Sequence, residues 1–143
     1  MTVIEQIIAD RAAAMRDKDP ERVVAAYAPE VVRFDLAPPL GTTGAEVTDP
    51  DGIRAWFSKF AGPVGYEVTE LVVTEGADVA FCHSLNRLAA TPHGSPEGFE
   101  MWFRVTLGLR RVDGDWKITH EHASTPFYMD GSFRAATDLK PES

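Results

Sequence analysis

Four side chains in this 143-residue sequence are of types that move protons or meet a developing negative charge: Asp35, Arg104, His120 and His122. Asp35 sits in the run VVRFDLA, between Phe34 and Leu36 and just before Pro38-Pro39. A carboxylate desolvated by apolar neighbours is a better general base near neutral pH. The plainer reading is a strand-end Asp that faces water or closes a turn. His120 and His122 form an H-x-H pair, and on a strand that spacing puts two imidazoles on one face. Such a pair can relay a proton, start a metal site, or only hydrogen-bond the strand in place. A third metal ligand would have to come from His83, Asp35 or Glu100, and no further ligand cluster lies nearby, so neither metal nor cofactor is expected. Arg104 suits an anionic or enolate-like ligand, or else a surface ion pair.

The elements that must position these groups begin with residues 99–125, FEMWFRVTLGLRRVDGDWKITHEHAST. Two alternating runs flank Asp113-Gly114, a hairpin signal. On the second run Trp116, Ile118, His120, His122 and Ser124 share one face by period 2. A two-residue turn sets Val105 and Leu107 across from the histidines. A bulged loop sets Arg104 and Thr106 there instead. The bulged register is preferred, because polar groups bury better together. It gathers Trp102, Arg104, Thr106, His120, His122 and Ser124 on a pocket wall. It leaves Phe103, Val105, Leu107 and Leu109 on a back face that would need a second copy, hence an expected homodimer through the outer sheet face.

Upstream, Ile4, Ile7, Ile8, Arg11, Ala12 and Met15 recur at helical spacing within 2–17. Asp19-Pro20-Glu21 opens a second helix with an N-cap and Pro at N1. Val23, Val24 and Tyr27 form its buried side, and Pro29 stops it. A short strand covers 31–37. Asp49-Pro50 opens a third helix, with Ile53, Trp56, Phe57 and Phe60 at i, i+3, i+4 and i+7. Gly62-Pro63-Val64-Gly65 breaks the chain. Strands follow over 66–74 and 79–90, the latter ending before Pro92, which cannot donate to a ladder. His83 shares a face with Phe81 and Leu85, where a lone His is more often a core residue. Cys82 reads as packing. Helices followed by strands indicate an α+β fold with a curved antiparallel sheet packed on three N-terminal helices. A long twisted sheet of this kind can leave a hollow between sheet and helices, and such hollows are common ligand sites. Tyr27, Trp56, Phe60, His83, Trp102 and Thr106 are the expected ligand contacts.

A net charge of −8 with no basic run disfavours nucleic-acid binding. One cysteine allows no internal disulfide. The N-terminus does not read as a signal peptide, and no apolar stretch nears the ~18–20 residues that span a bilayer. The expectation is one cytoplasmic domain over 1–143, with its core at about 3–127 and a tail at 128–143.

The element order, the VVRFDLAPPL strand, the LRRVDGDW turn and the KITHEHASTPF ending resemble SnoaL-like, ketosteroid isomerase-like proteins of the nuclear transport factor 2-like superfamily. The resemblance implies a cone-shaped, cystatin-like sheet, a deep pocket and usually a homodimer. It implies a carboxylate base on the strand after the second helix, where Asp35 falls. The oxyanion donors of ketosteroid isomerases are a first-helix tyrosine and a protonated aspartate on a later strand. Arg11 and Thr106 or Gly108 stand near those positions here, so His120, His122, Arg104 or Tyr27 would have to serve. Two functions follow as expectations. One is isomerase, cyclase or dehydratase chemistry on a small apolar carbonyl compound, with Asp35 as base. The other is a non-catalytic ligand-binding or association module.

Overall fold

The computed structural model describes residues 1–142. Helix α1 (Val3–Arg16) starts at Thr2, whose hydroxyl accepts from Glu5 N while the Glu5 carboxylate accepts from Thr2 N, a capping box. It buries Ile4, Ile8, Ala12 and Ala14. Helix α2 (Pro20–Val24) is capped by Asp19, as expected. Strand β1 (Tyr27–Phe34), the two-residue β2 (Thr42–Thr43) and the short α3 (Ala45–Thr48) lead to α4 (Pro50–Phe57), capped by Asp49. Four long strands follow: β3 (Phe60–Glu75), β4 (Val79–Pro92), β5 (Phe99–Val112) and β6 (Asp115–Ser124). They form one mixed sheet in the order β2-β1-β6-β5-β4-β3. Only β1 runs parallel to its neighbour β6. The fold is the expected α+β one, a curved open sheet wrapped over N-terminal helices.

Several boundaries differ from the sequence reading. Tyr27 opens β1 rather than closing a helix, because the strand pairs with β6 at Tyr27↔Ile118. β1 ends at Phe34, leaving Asp35 just past the ladder. β3 begins at Phe60 and absorbs Gly62-Pro63 in an irregular stretch between Ala61 and Gly65. β4 runs on to Pro92, which a strand end tolerates.

The decisive difference lies in the β5–β6 hairpin. Val112 pairs with Asp115 across Asp113-Gly114, and both turn residues have positive φ, 50° and 86°. That is the two-residue turn whose twist suits a hairpin. Farther along, Gly108 pairs with His120 but Leu109 pairs with Ile118, so Thr119 is an extra, unpaired residue. The turn and this bulge together bring Thr106 opposite His122. A bulge of one residue reverses which side chains face inward. Before it, Trp116 and Ile118 are buried. After it, Glu121 and Ala123 point inward while His120, His122 and Ser124 point out.

Trp102, Arg104, Thr106, His120 and His122 therefore do share a face, but it is the outer one. Phe103, Val105, Leu107 and Leu109 form no back face in need of a partner; they are buried on the helix side of the sheet. The tail also packs further than expected. Phe127 bridges Ala135, and Ala136 is 2% exposed. Among the described residues no helix is long and apolar enough to cross a membrane.

Candidate functional site

A cavity of about 490 Å³ lies between the helices and the inner face of the sheet. That volume suits a small organic molecule. Its wall is mostly apolar, with Ile8, Met15, Trp56, Phe60, Leu88 and Phe103 contributing. Trp56 and Phe60 meet edge to face, 4.8 Å between centroids. Tyr27, Trp56 and Phe60, three of the expected ligand contacts, line the cavity. His83, Trp102 and Thr106 do not, since they belong to the outer face.

One polar cluster interrupts the apolar wall. Arg11 occupies the buried stripe of α1, one turn beyond Ile8, and Glu121 is turned inward by the Thr119 bulge. Arg11 Nη2 donates to Tyr27 Oη at 2.9 Å and to Glu121 Oε1 at 3.0 Å. The Tyr27 hydroxyl donates to the same Oε1. The guanidinium also lies over the Tyr27 ring, 5.1 Å from its centroid. Both charged side chains are nearly buried, 16% and 14% exposed. Burial disfavours the Arg11 charge, but the facing Tyr27 and Glu121 outweigh it and lift the group above its ordinary value. Burial first, then the Glu121 charge, raise Tyr27 above the usual phenol range. Removing one member of such a buried pair typically costs ~3–5 kcal/mol, because the other charge is stranded.

A second chain of hydrogen bonds reaches the cavity from β4. Ser84 Oγ donates to Asn86 Oδ1 at 2.7 Å, and Asn86 Nδ2 donates to Tyr66 Oη at 2.8 Å. Tyr66 accepts in this chain, and its own proton goes to no acceptor among the described residues. Burial first, then the Glu121 carboxylate, push Tyr66 up to about 12, so it stays a donor through the physiological range. Glu121 is its complement. Oε1 takes both contacts, while Oε2 accepts no hydrogen bond among the described residues. A free donor and a free acceptor therefore line one cavity. Cys82, inward on β4, also lines it, and burial raises its thiol to about 11.

The four groups first considered for chemistry do not converge. Asp35 does line the cavity, but at its rim. Its side chain is 48% exposed, Oδ2 lies 3.8 Å from Arg33 Nε, and Oδ1 accepts from Leu36 N at 2.7 Å. Of its apolar sequence neighbours, Phe34 points to the other face, against His120. Arg104 is exposed, donating to Ser124 Oγ at 3.2 Å. His120 Nδ1 lies 2.7 Å from Val32 O and its ring meets Phe34 edge-on, the strand-holding alternative. His122 is exposed beside the same Phe34 ring. Among the described residues no three His, Cys, Asp or Glu side chains are grouped to hold a metal ion.

Sequence reasoning passed over Glu121, Tyr66, Asn86 and Ser84. Two signals were available. Arg11 falls within an otherwise apolar helical stripe, and Ser84 and Asn86 alternate with Cys82 and Leu88 on the buried face of β4. Buried polar residues of this kind point to a site or a network.

A family profile described as SnoaL-like domain matches residues 4–128. No curated protein matches the sequence significantly. Among solved structures, a nuclear transport factor 2-like protein of unknown function from Pseudomonas putida KT2440 is 33% identical, with TM-score 0.84, over 96% of this chain and 94% of that one. A provisionally assigned scytalone dehydratase from Novosphingobium aromaticivorans is 18% identical, with TM-score 0.75, over 98% and 93%. A ketosteroid isomerase-like protein from Erwinia carotovora atroseptica is 22% identical, with TM-score 0.70, over 85% and 92%. The last two likenesses show the fold.

Proposed function

This chain belongs to the SnoaL-like domain family, and on that premise we propose that it is an enzyme moving a proton on a small, largely apolar carbonyl compound, as isomerases and dehydratases do. The observation that carries the reading is the pairing in one cavity of an unspent Tyr66 O–H with an unspent Glu121 Oε2. Tyr66 donates to the carbonyl oxygen of the ligand and stabilises the charge that grows there. Glu121 takes a proton from the adjacent carbon, leaving an enol or enolate. Returning that proton to another carbon isomerises the ligand; loss of a β-hydroxyl as water dehydrates it. Arg11 and Tyr27 hold Oε1 and so fix the aim of Oε2. Cyclisation uses the same first step.

Exchange of the α-hydrogens of 2-tetralone with D₂O, followed by proton NMR, tests this directly. The wild-type protein is expected to accelerate exchange over buffer. Glu121→Gln should lower the rate by about 10²-fold or more, the usual scale of a lost general base. Tyr66→Phe should lower it by about 10-fold or more. Asp35→Asn should leave most of it. Exchange that survives E121Q and vanishes in D35N returns the base to Asp35 and ends the Glu121 assignment.

A non-catalytic binding module is the second reading. It is favoured by the full engagement of Glu121 Oε1 with Arg11, the arrangement of a structural ion pair. Tight binding of 2-tetralone with no exchange above buffer selects it.

A further inference from the structure

Arg33 is the cation on the cavity wall that the polar cluster leaves over. In the sheet register it pairs with Glu121, so it occupies the adjacent position on the inner face. Its side chain is 25% exposed. Its nearest acid is Asp35, whose Oδ2 stands 3.8 Å from Nε, too far for a hydrogen bond. Nε is shut away from solvent with no acceptor. Nη1 and Nη2 make no hydrogen bond among the described residues, and they are not shut away. Arg11, by contrast, is tied to Tyr27 and Glu121. Two other acids at the cavity, Glu46 and Asp49, are engaged with the backbone: Glu46 Oε1 accepts from Thr43 N at 3.3 Å and Asp49 Oδ1 from Asp51 N at 2.9 Å.

We propose that Arg33 anchors a carboxylate of the ligand, so that the substrate class is a small aromatic or alicyclic carbonyl compound that also carries a carboxylate. The inference rests on the cavity being a ligand site, as proposed above. A planar guanidinium with its outer fork open matches one carboxylate in geometry and charge. A doubly charged phosphate fits less well, because Asp35, Glu46 and Asp49 line the same cavity and would repel a second negative charge. The apolar wall takes the ring system. The register position sets the bound acid beside Glu121. Asp35 competes for the guanidinium, and its exposure makes it easy to displace.

Isothermal titration calorimetry with 2-naphthoate and its neutral isostere 2-naphthamide separates the claims. Wild-type protein is expected to bind naphthoate about 10- to 100-fold more tightly, the range for one charge-assisted fork. Arg33→Gln should abolish that preference and leave naphthamide unchanged, and Arg33→Lys should keep part of it. Asp35→Asn should tighten naphthoate several-fold by removing the competitor. Arg110→Gln, exposed and outside the cavity, is the control for overall charge. Equal affinities in the wild type, or a preference that survives R33Q, overturns the assignment. Should R33Q fail to fold, R33K and D35N decide with opposite signs. Naphthamide binding without naphthoate ends this inference alone. Binding of neither ends the cavity reading with it.

Discussion

Tyr66 and Cys82 hold protons that water would release more readily, and this makes stability depend on pH at the alkaline end. Both groups are raised above their ordinary values, so the folded state favours their protonated forms. Their contribution is whole below the unfolded values, 9.0 for the thiol and 10.0 for the phenol, and is lost as pH rises toward about 11 and about 12. The melting temperature should therefore fall between pH 9 and 12, and Cys82→Ala should flatten the lower part of that fall. The same burial slows the thiol. At pH 8 its thiolate fraction is about 100-fold below that of an ordinary cysteine, so iodoacetamide should label native Cys82 on the order of 100-fold more slowly than the unfolded chain. Labelling at the unfolded rate would mean that the cavity wall is open at β4.

At the level of the element, the bulge in β6 does more than any single side chain to make the site. It lets one strand bury Trp116 and Ile118 at one end and aim Glu121 into the cavity at the other. Deleting Thr119 removes the extra residue and forces a choice. Either Trp116 and Ile118 turn outward, or Glu121 does and leaves Arg11 without its partner. Either outcome should cost about 3–5 kcal/mol or more in urea unfolding. Thr119→Ala keeps the residue count and loses only a 3.3 Å hydrogen bond to Gly108 O, so it should cost no more than about 1 kcal/mol. Equal losses from the two variants would show that the hydroxyl, not the register, matters.

For the molecule as a whole, the outer face of the sheet is the surface left uncovered by helices. Cross-strand neighbours Val72, His83, Thr106, His122 and Phe34 form one row there, and Phe81 belongs to the next. Val72 and Phe81 are about half exposed, at 49% and 51%. We propose self-association through this face. Sedimentation velocity at micromolar concentration should give a dimer, and Phe81→Asp should shift it to monomer with an unchanged circular dichroism spectrum. A wild-type monomer would remove the proposal. Phe103, Val105, Leu107 and Leu109 have no part in that contact, since the fold has taken them inside.

Local chemistry was enough to read much of this chain. Asp19-Pro20, Asp49-Pro50 and Asp113-Gly114 mark their helix starts and turn by capping and by backbone conformation, which depend on a few neighbouring residues. The helices-then-strands order, the α+β class and the SnoaL-like family followed from sequence as well. Which faces look into the cavity did not. Period-2 alternation assigns sides only while the register holds, and the single unpaired Thr119 exchanges them halfway along β6. Tyr27 is likewise a helix residue by spacing and a strand residue by its pairing with Ile118, far along the chain. Pairings over such separations are settled by burial across the whole sheet, and so the tertiary structure alone turned Glu121, and not the histidines, toward the cavity.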